Sequence, residues 1–312
     1  MRIVRDITKI TPEDRGAAAA IGNFDGVHLG HQAVIDLARK AAKAQNAPLG
    51  IMTFEPHPRR FFAPDIKPFR LMDARAKAHR LEKLGVDILY EVPFNETLAA
   101  LTAEQFAGQI IHDALGLSHV VVGADFRFGK GRQGDADTLI SFGKTHGFEV
   151  SIAEMVGTPV GEVSSTNIRQ ALSEGRPDDA AAMLGHWHRI EGIVIHGEKR
   201  GRDLGYPTAN LAMDDLHLPA FGVYATMVDV LTGPHKGSYS GATSIGIRPM
   251  FGENTPNCET YILDFKGDLY DAEISVALVE FLRPEEKFDS LDGLIHQMEA
   301  DCIRAREVLQ DA

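Results

Sequence analysis

Two histidines in a glycine-rich stretch are the first residues of this chain whose types and spacing could do chemistry. His28 and His31 are three residues apart, so on one helical turn both imidazoles can address the same oxygen atoms. They would stabilise negative charge without forming a covalent intermediate. The pair therefore favours the binding of an anion such as a nucleotide phosphate.

The residues around these histidines are predicted to form a strand-to-helix turn. An apolar run at 17–21 suits a buried strand, and apolar side chains recur at helical spacing over 34–41. Free backbone N–H groups and the helix dipole favour an anion at such a turn. Three glycines within residues 22–30 let the backbone approach it closely.

Two later stretches carry further candidates. Hydroxyl-bearing residues at 164–166 begin a predicted short helix that ends near Gly175, and Arg169 follows one turn later. Helix capping explains the hydroxyls but not the arginine, whose guanidinium can grip a phosphate. Asp125, in the loop 123–129, could bind a ribose hydroxyl or a metal-bound water. Taken alone, it is better explained as a turn-forming aspartate.

Residues 55–69 form a predicted loop rich in proline and phenylalanine after a strand at 49–54. Such a loop could lie over a ligand. Alternatively, its prolines only end the strand and its phenylalanines fill the core. The residues alone favour neither reading.

Composition limits the classes of protein and partner. The 312 residues are 44% hydrophobic, enough for two globular domains, and no uninterrupted apolar run predicts a signal peptide or a membrane span. The net charge is -12, with 21 basic and 23 acidic residues up to Gly185 and 11 and 21 after it. That acidity disfavours nucleic acid. Cys258 and Cys302 lack metal-ligand spacing and suit a reducing compartment, so we expect a cytoplasmic location.

The first part of the chain alternates strands and helices. Helices are predicted at 73–84, 102–115 and 178–184, and further strands at 87–92 and 119–123. Thr102 and Gln105 form a predicted capping box. Such alternation implies an α/β fold with a doubly wound parallel sheet. In that fold the turn at Gly22 and the loop at Gly123 both follow strands and could face one pocket.

The second part has short strands separated by glycine turns. Strands are predicted at 189–195, 223–230, 241–245, 259–264 and 273–281, followed by a helix at 290–309. This pattern predicts a small antiparallel β-barrel. The helix would seal one side of it with an apolar face made of Leu291, Leu294, Ile295, Met298, Cys302, Ala305 and Leu309. We place the domain boundary so that the domains are residues 1–185 and 186–312.

The stretch at 22–31, Gly-Asn-Phe-Asp-Gly-Val-His-Leu-Gly-His, resembles the nucleotidyltransferase signature of the bacterial bifunctional riboflavin kinase/FAD synthetase family. Later motifs resemble the same family. They are Thr-Phe-x-Pro-His-Pro at 53–58, Gly-x-Asp-Phe-x-Phe-Gly at 123–129, Ser-Ser-Thr-x-x-Arg at 164–169 and Pro-Thr-Ala-Asn at 207–210. The resemblance extends from about residue 20 to residue 305.

For the first domain, the resemblance implies adenylylation of FMN to FAD, with ATP as co-substrate and release of pyrophosphate. The implied catalytic residues are His28, His31 and Arg169. The implied contacts to ATP and its phosphates are Gly22, Asn23, Phe24, Asp25, Gly30, Asp125, Ser164, Ser165 and Thr166. The implied flavin contacts in this domain are Pro56, His57, Pro58, Phe62 and Phe128.

For the second domain, the resemblance implies phosphorylation of riboflavin to FMN by ATP. Gly201 lies in the implied phosphate loop, and Thr208 and Asn210 would contact Mg²⁺ and ATP, an oxygen pair that suits this ion. Glu259 matches the family's catalytic glutamate, and Arg248 is an implied flavin contact.

The chemistry of the two steps agrees with these dissimilar sites. The 5′-hydroxyl of riboflavin is a poor nucleophile and needs a base, a task that suits Glu259. The phosphate of FMN is already anionic, so its site needs groups that stabilise charge, which His28, His31 and Arg169 provide.

Four residues depart from the family pattern. They are His186 for arginine, Ser244 for asparagine, Met250 for threonine and Tyr261 for histidine. Ser244, Met250 and Tyr261 motivate a second hypothesis, which keeps the adenylyltransferase and treats the barrel as a flavin-binding regulatory module. A more remote hypothesis has the first domain adenylylate another phosphate compound. We expect flavins and ATP as partners, no nucleic acid or membrane, and a monomer or weak homo-oligomer.

Overall fold

A computed structural model describes residues 1–154, 157–159, 161–196, 205–250 and 253–310, with the backbone alone at 248–250 and 253–255. The chain forms two compact units. One comprises Met1–Lys67 and Lys77–Gly157, and the other comprises Pro68–Ala76 and Thr158–Ala312.

The first unit is built on a parallel sheet of six strands in the order β1-β4-β3-β2-β5-β6. The strands are β1 Arg2–Val4, β2 Ala18–Ile21, β3 Leu49–Glu55, β4 Ile88–Pro93, β5 His119–Gly123 and β6 Glu149–Ala153. The helices are α1 Leu29–Gln45, α2 Pro58–Phe62, α3 Ala74–Lys83, which begins in the second unit's segment, α4 Glu96–Ala100, α5 Ala103–Gln105 and α6 Ala136–His146. A π-helix at Phe106–Ala114 continues α5, and short 3-10 helices lie at Ile7–Lys9, Pro12–Asp14 and Lys130–Arg132.

The central strands of this sheet, β2 to β5, are largely buried, which explains why apolar runs in the sequence predicted their positions. Six of the seven residues of β3 are buried, as expected for a parallel strand covered on both faces. Met52 and Tyr90 pack in one core with Phe106 and Ile111. The predicted α/β fold with a doubly wound parallel sheet is confirmed.

Strand order fixes where the loops of this sheet meet. β2 pairs with β3 on one side and β5 on the other, and Ala20 lies opposite Val121. The turn after β2 and the loop after β5 therefore leave the sheet from neighbouring carboxyl ends. This is the switch point where open α/β sheets bind ligands.

Two predictions of local structure in this unit were wrong in part. Residues 55–69, predicted as a loop, contain α2, because His57 caps its first turn and Pro58 occupies the first helical position. The capping box of Thr102 and Gln105 is confirmed, but the predicted helix continues in π rather than α geometry. The spacing of apolar residues over so short a segment does not distinguish an α-helix from a π-helix.

The second unit contains an antiparallel sheet in the order β10-β13-β12-β11-β14-β9. Its strands are β9 His188–Ile193, β10 Thr208–Ala212, β11 Gly222–Val230, β12 Gly237–Met250, β13 Glu253–Ile262 and β14 Glu273–Pro284. The two-residue strands β7 Gly157–Thr158 and β8 Gly161–Glu162 pair with each other, and the helices are α7 Ser165–Ser173, α8 Pro177–Leu184 and α9 Leu291–Leu309. The five predicted strands and the final helix are confirmed. β10 is not among the predicted strands. It is held by pairing with β13, which lies far from it in the sequence.

The predicted apolar face of the final helix is confirmed in its carboxyl-terminal half and wrong at Leu291. Cys302 and Ala305 are buried in a cluster against which Leu309 packs, whereas Leu291 is 56% exposed. A largely buried polar contact also holds the helix. Arg283 Nη2 on β14 lies 2.7 Å from Asp301 Oδ2 on α9, and both side chains are largely buried.

We expect Asp301→Ala to lower the free energy of unfolding of this unit by about 3–5 kcal/mol, because it leaves the buried guanidinium of Arg283 without its counter-charge. The matched control is Glu280→Ala, which removes a carboxylate from an exposed pair with Arg304. It should cost less than about 1 kcal/mol. Urea unfolding followed by circular dichroism measures both, and equal losses would contradict the assignment.

Candidate active sites

The turn after β2 contains three residues with left-handed backbone conformation. Phe24 and Val27 have φ angles of 50° and 45°, and Gly26 has 90°. Left-handed backbone is uncommon in non-glycine residues, and here the side chains of Phe24 and Val27 are 1% and 0% exposed. Burial of these two side chains therefore fixes the direction of the backbone between β2 and α1.

His28 and His31 stack on each other at the start of α1. The His28 Nδ1 accepts a hydrogen bond from the His31 N–H at 3.2 Å and caps the helix. The two ring centroids lie 3.6 Å apart, with an interplanar angle of 14°. The structure therefore brings together the two imidazoles that the three-residue spacing predicted.

The electrostatics of His31 favour a neutral ring. Burial, followed by the nearby His28 and Lys77, holds the pKa of His31 well below its usual value. Its Nδ1 is buried and has no hydrogen-bond partner among the described residues. A neutral imidazole with a buried unsatisfied nitrogen is costly, and an anion placed beside it would raise its pKa and favour the protonated ring.

Lys77 belongs to this turn, and the sequence reasoning missed it. Its side chain is 2% exposed, and its Nζ lies 3.1 Å from the Asn23 carbonyl oxygen. The same Nζ lies 3.2 Å from Thr53 Oγ1 and 3.2 Å from Glu55 Oε1, at the end of β3. The sequence carried no signal for it, because adjacent residues of a helix point in different directions and the alanines beside Lys77 do not indicate its burial.

The predicted flavin contacts of this unit lie after β3, except Phe128, which follows β5, and the rings of Phe62 and Phe128 differ in accessibility. The Phe62 side chain is 69% exposed and packs edgewise on Phe94 at 5.7 Å. Phe128 is 6% exposed and packs on Phe106 at 5.6 Å, inside the core. The structure therefore leaves Phe62 open to a planar ligand, and the remaining predicted flavin contacts in this region are Pro56, His57 and Pro58.

Asp125 lies exposed in the loop after β5. Phe126 N donates to the Gly123 carbonyl at 3.0 Å, which closes a turn around Asp125. The turn-forming reading is therefore consistent with the structure. Its predicted contact with ATP stays a prediction.

The hydroxyl-rich motif begins α7 as predicted. Ser164 caps the helix by accepting from the Asn167 N–H at 3.2 Å, and Ser165 and Thr166 form its first turn. One turn later, Arg169 Nε donates to the Phe69 carbonyl at 2.5 Å. Arg169 belongs to the second unit, whereas His28 and His31 belong to the first.

The polar residues of the second site are aligned across three strands. Asn210 on β10 and Ser244 on β12 each lie directly opposite Glu259 on β13. Directly opposed residues project from the same face of a sheet. Asn210 Nδ2 also donates to the Thr208 carbonyl at 3.2 Å, so Thr208, Asn210 and Glu259 form one cluster.

Asn257 completes this cluster, and the sequence reasoning missed it. Its Nδ2 donates to Glu259 Oε1 at 3.0 Å and to Asn210 Oδ1 at 3.4 Å. The signal was its position two residues before Glu259, since alternate residues of a strand share a face. The predicted Gly201 lies outside the described residues, and so does the side chain of Arg248.

Comparison with known proteins assigns both halves of the chain. Residues 10–167 match the family model described as FAD synthetase, and residues 184–309 match the model described as riboflavin kinase. The bifunctional riboflavin kinase/FMN adenylyltransferase of Pseudomonas fluorescens is 41% identical over 307 residues, which cover 98% of this chain and 97% of the relative. This chain belongs to that family.

Other comparisons agree over the whole length. The Escherichia coli K12 member of the family is 38% identical over 309 residues, covering 98% of this chain and 97% of that protein. A solved Streptococcus pneumoniae structure, described as a macrolide-efflux protein, has a TM-score of 0.82 and 32% identity, covering 97% of this chain and 98% of that one. Within the part of the chain that the structure describes, no helix is long and apolar enough to cross a membrane.

The family's departures in this chain have different surroundings. Ser244 lies beside Glu259, whereas the Tyr261 ring packs edgewise on Tyr206 at 5.1 Å. His186 Nδ1 lies 2.8 Å from the Trp187 carbonyl oxygen. The side chain of Met250 is not described. Two of the three described departures therefore adjoin groups predicted to act in the kinase reaction: Ser244 lies directly opposite Glu259, and Tyr261 lies directly opposite Thr208.

Proposed function

We propose that this family member makes FAD from riboflavin in two steps, with each half of the chain catalysing one. The carboxyl-terminal sheet phosphorylates riboflavin with ATP to give FMN. The amino-terminal α/β unit adenylylates FMN to FAD and releases pyrophosphate. The observation that carries the proposal is the match of both halves to the two enzyme families, over nearly the full length of bifunctional relatives.

In the kinase step, Glu259 is the general base for the 5′-hydroxyl of riboflavin. Its carboxylate is oriented by Asn257, which donates to Oε1. A fixed carboxylate can accept the hydroxyl proton as the oxygen attacks the γ-phosphate of ATP. This geometry supports a catalytic rather than a packing role for Glu259.

Thr208 and Asn210 fit a Mg²⁺ ion. A hydroxyl and an amide oxygen are hard, uncharged ligands, and this ion keeps waters and substrate phosphates in the rest of its shell. Asn210 Nδ2 donates to the Thr208 carbonyl, and Asn210 Oδ1, which accepts from Asn257 Nδ2 at 3.4 Å, has a second lone pair for a cation. When bound, Mg²⁺ would neutralise charge on the phosphate oxygens.

In the adenylylation step, the FMN phosphate attacks the α-phosphate of ATP and needs no base. His28 and His31, beside the α1 N-terminus, stabilise the charge that develops at the α-phosphate. Arg169 and the hydroxyls of residues 164–166 hold the leaving pyrophosphate. A bound triphosphate would also favour the protonated form of His31, whose two ring N–H groups can then donate hydrogen bonds.

We place the functional boundary at 185/186. The riboflavin kinase match begins at residue 184, and α8 ends with Gly185 in left-handed conformation at its carboxyl cap. The proposal of a regulatory barrel without kinase activity is disfavoured, because the kinase match covers the barrel and the described catalytic cluster is aligned. Small flavins and ATP are the partners. The cytoplasmic location and the absence of nucleic acid are inferred from composition, and a monomer or weak homo-oligomer is proposed as the oligomeric state.

We expect His31→Ala or Arg169→Ala to reduce FAD formation from FMN by roughly 100-fold or more, because each removes a group that stabilises transition-state charge. Riboflavin phosphorylation by the same chain should keep its parental rate and serves as the internal control. Separate assays with FMN and with riboflavin measure the two steps. Equal losses in both would refute the separation of the sites.

We expect Glu259→Gln to stop FMN formation, since general-base catalysis contributes roughly 10² to 10⁴ in rate. Added FMN should still be converted to FAD. Product analysis by chromatography after feeding riboflavin or FMN distinguishes the steps. A variant that phosphorylates riboflavin at the parental rate would show that Glu259 is structural.

We expect a fragment of residues 185–312 to fold and phosphorylate riboflavin, because it contains the described catalytic cluster and α9. A fragment of residues 158–312 should melt at a higher temperature. It retains α7, whose Leu172 carbonyl accepts from Ala220 N at 2.8 Å. Circular dichroism and FMN assays compare the two. Kinase activity confined to the longer fragment would move the functional boundary towards residue 158.

A further inference from the structure

A buried cation lies directly behind the turn between β2 and α1. The ammonium group of Lys77 is within 3.2 Å of three oxygen atoms, on Asn23, Thr53 and Glu55. Asn23 follows β2, and the other two residues end β3. One side chain therefore cross-links the carboxyl ends of two neighbouring strands, on which the predicted phosphate turn and flavin segment begin.

Packing alone does not explain a charge in this place. Ala76, Ala78 and Leu81 of the same helix are buried, and they supply its apolar contacts. A buried ion pair pays for its desolvation, and an apolar side chain of similar size in such a place is often equally stable or more so. The positive charge of Lys77 therefore has a role beyond packing, which a methionine of similar size would not fill.

The charge of Lys77 acts on the predicted phosphate site as well as on its hydrogen-bond partners. It is one of the groups that lower the pKa of His31, together with burial and His28. A positive potential that opposes protonation of the imidazole attracts an anion at the same place. Glu55 offsets this potential only in part, because its side chain is 22% exposed and partly solvated.

We propose that Lys77 is a positioning residue of the adenylylating site. It fixes the Asn23 carbonyl, so that the turn presents its backbone N–H groups to the triphosphate, and it supplies a buried positive charge that favours ATP binding there. This role rests on the proposed function of the first unit. It requires no contact between Lys77 and the substrate.

The test uses the full chain with Lys77→Met, with the double variant Glu55→Gln/Lys77→Met, and with Lys83→Met as the matched control. Lys83 lies on the same helix but is exposed. The double variant removes both charges and leaves no unpaired carboxylate, so it guards against misfolding. Thermal melting and riboflavin kinase activity monitor the fold of each variant.

We expect the KM for ATP in FAD formation from FMN to rise on the order of tenfold or more in both Lys77 variants, with a smaller change in kcat. The kinase KM for ATP should stay at its parental value, and Lys83→Met should resemble the parent in both reactions. A rise in the pKa of His31, measured by NMR titration of the ring without ligand, should accompany the loss of the Lys77 charge.

A parental KM for ATP and an unchanged His31 titration in the folded double variant would overturn the proposal and leave Lys77 a structural residue. Failure of the proposed function is a different result. In that case the parent chain itself would make no FAD from FMN, while ATP binding by calorimetry and the His31 titration would still decide whether Lys77 acts on the turn.

Discussion

The predicted amino-terminal site depends on the backbone of the turn between β2 and α1, which side chains hold in place, and on the positive charge beside it. Phe24 and Val27 are buried and have left-handed backbone conformations, and the ammonium group of Lys77 donates a hydrogen bond to the Asn23 carbonyl. His28 closes the first turn of α1. The side chains of Phe24 and Val27 and the ammonium group of Lys77 hold the backbone without accepting from the N–H groups at the start of α1, whereas the His28 cap accepts from the N–H of His31. The predicted anion would meet a turn whose backbone direction these contacts already define.

The two halves carry their predicted phosphate-transfer residues on different kinds of secondary structure. In the parallel sheet, the predicted site residues His28 and His31 lie at the start of α1, beyond the carboxyl end of β2, because the strand itself is buried. In the antiparallel sheet, the predicted site residues Asn210 and Glu259 lie on the strands and are opposed in register, with Ser244 opposite Glu259 on the next strand. A general base suits the second arrangement, since strand pairing and Asn257 restrict how its carboxylate can turn.

The substitution at Ser244 is best understood together with Asn257. Where the family pattern has an asparagine beside the glutamate, this chain has a serine at the directly opposed position. In this chain, Asn257, on the same strand as Glu259, donates an amide hydrogen bond to its carboxylate. The Glu259 carboxylate therefore has an amide neighbour although the residue opposite it on β12 is a serine.

The sequence by itself determined the family, the two fold classes, the strand-to-helix turn and the pairing of His28 with His31. These features depend on contiguous motifs and on periodicities of two or 3.6 residues, which are properties of local sequence. Only the tertiary structure decided that β10 is a strand, that α2 interrupts the predicted loop, and that Lys77 and Asn257 contact the predicted site residues Asn23 and Glu259. Lys77 lies 54 residues from Asn23 in the chain, and Asn257 lies 47 from Asn210. Contacts over such separations depend on strand order and register, which no local pattern specifies.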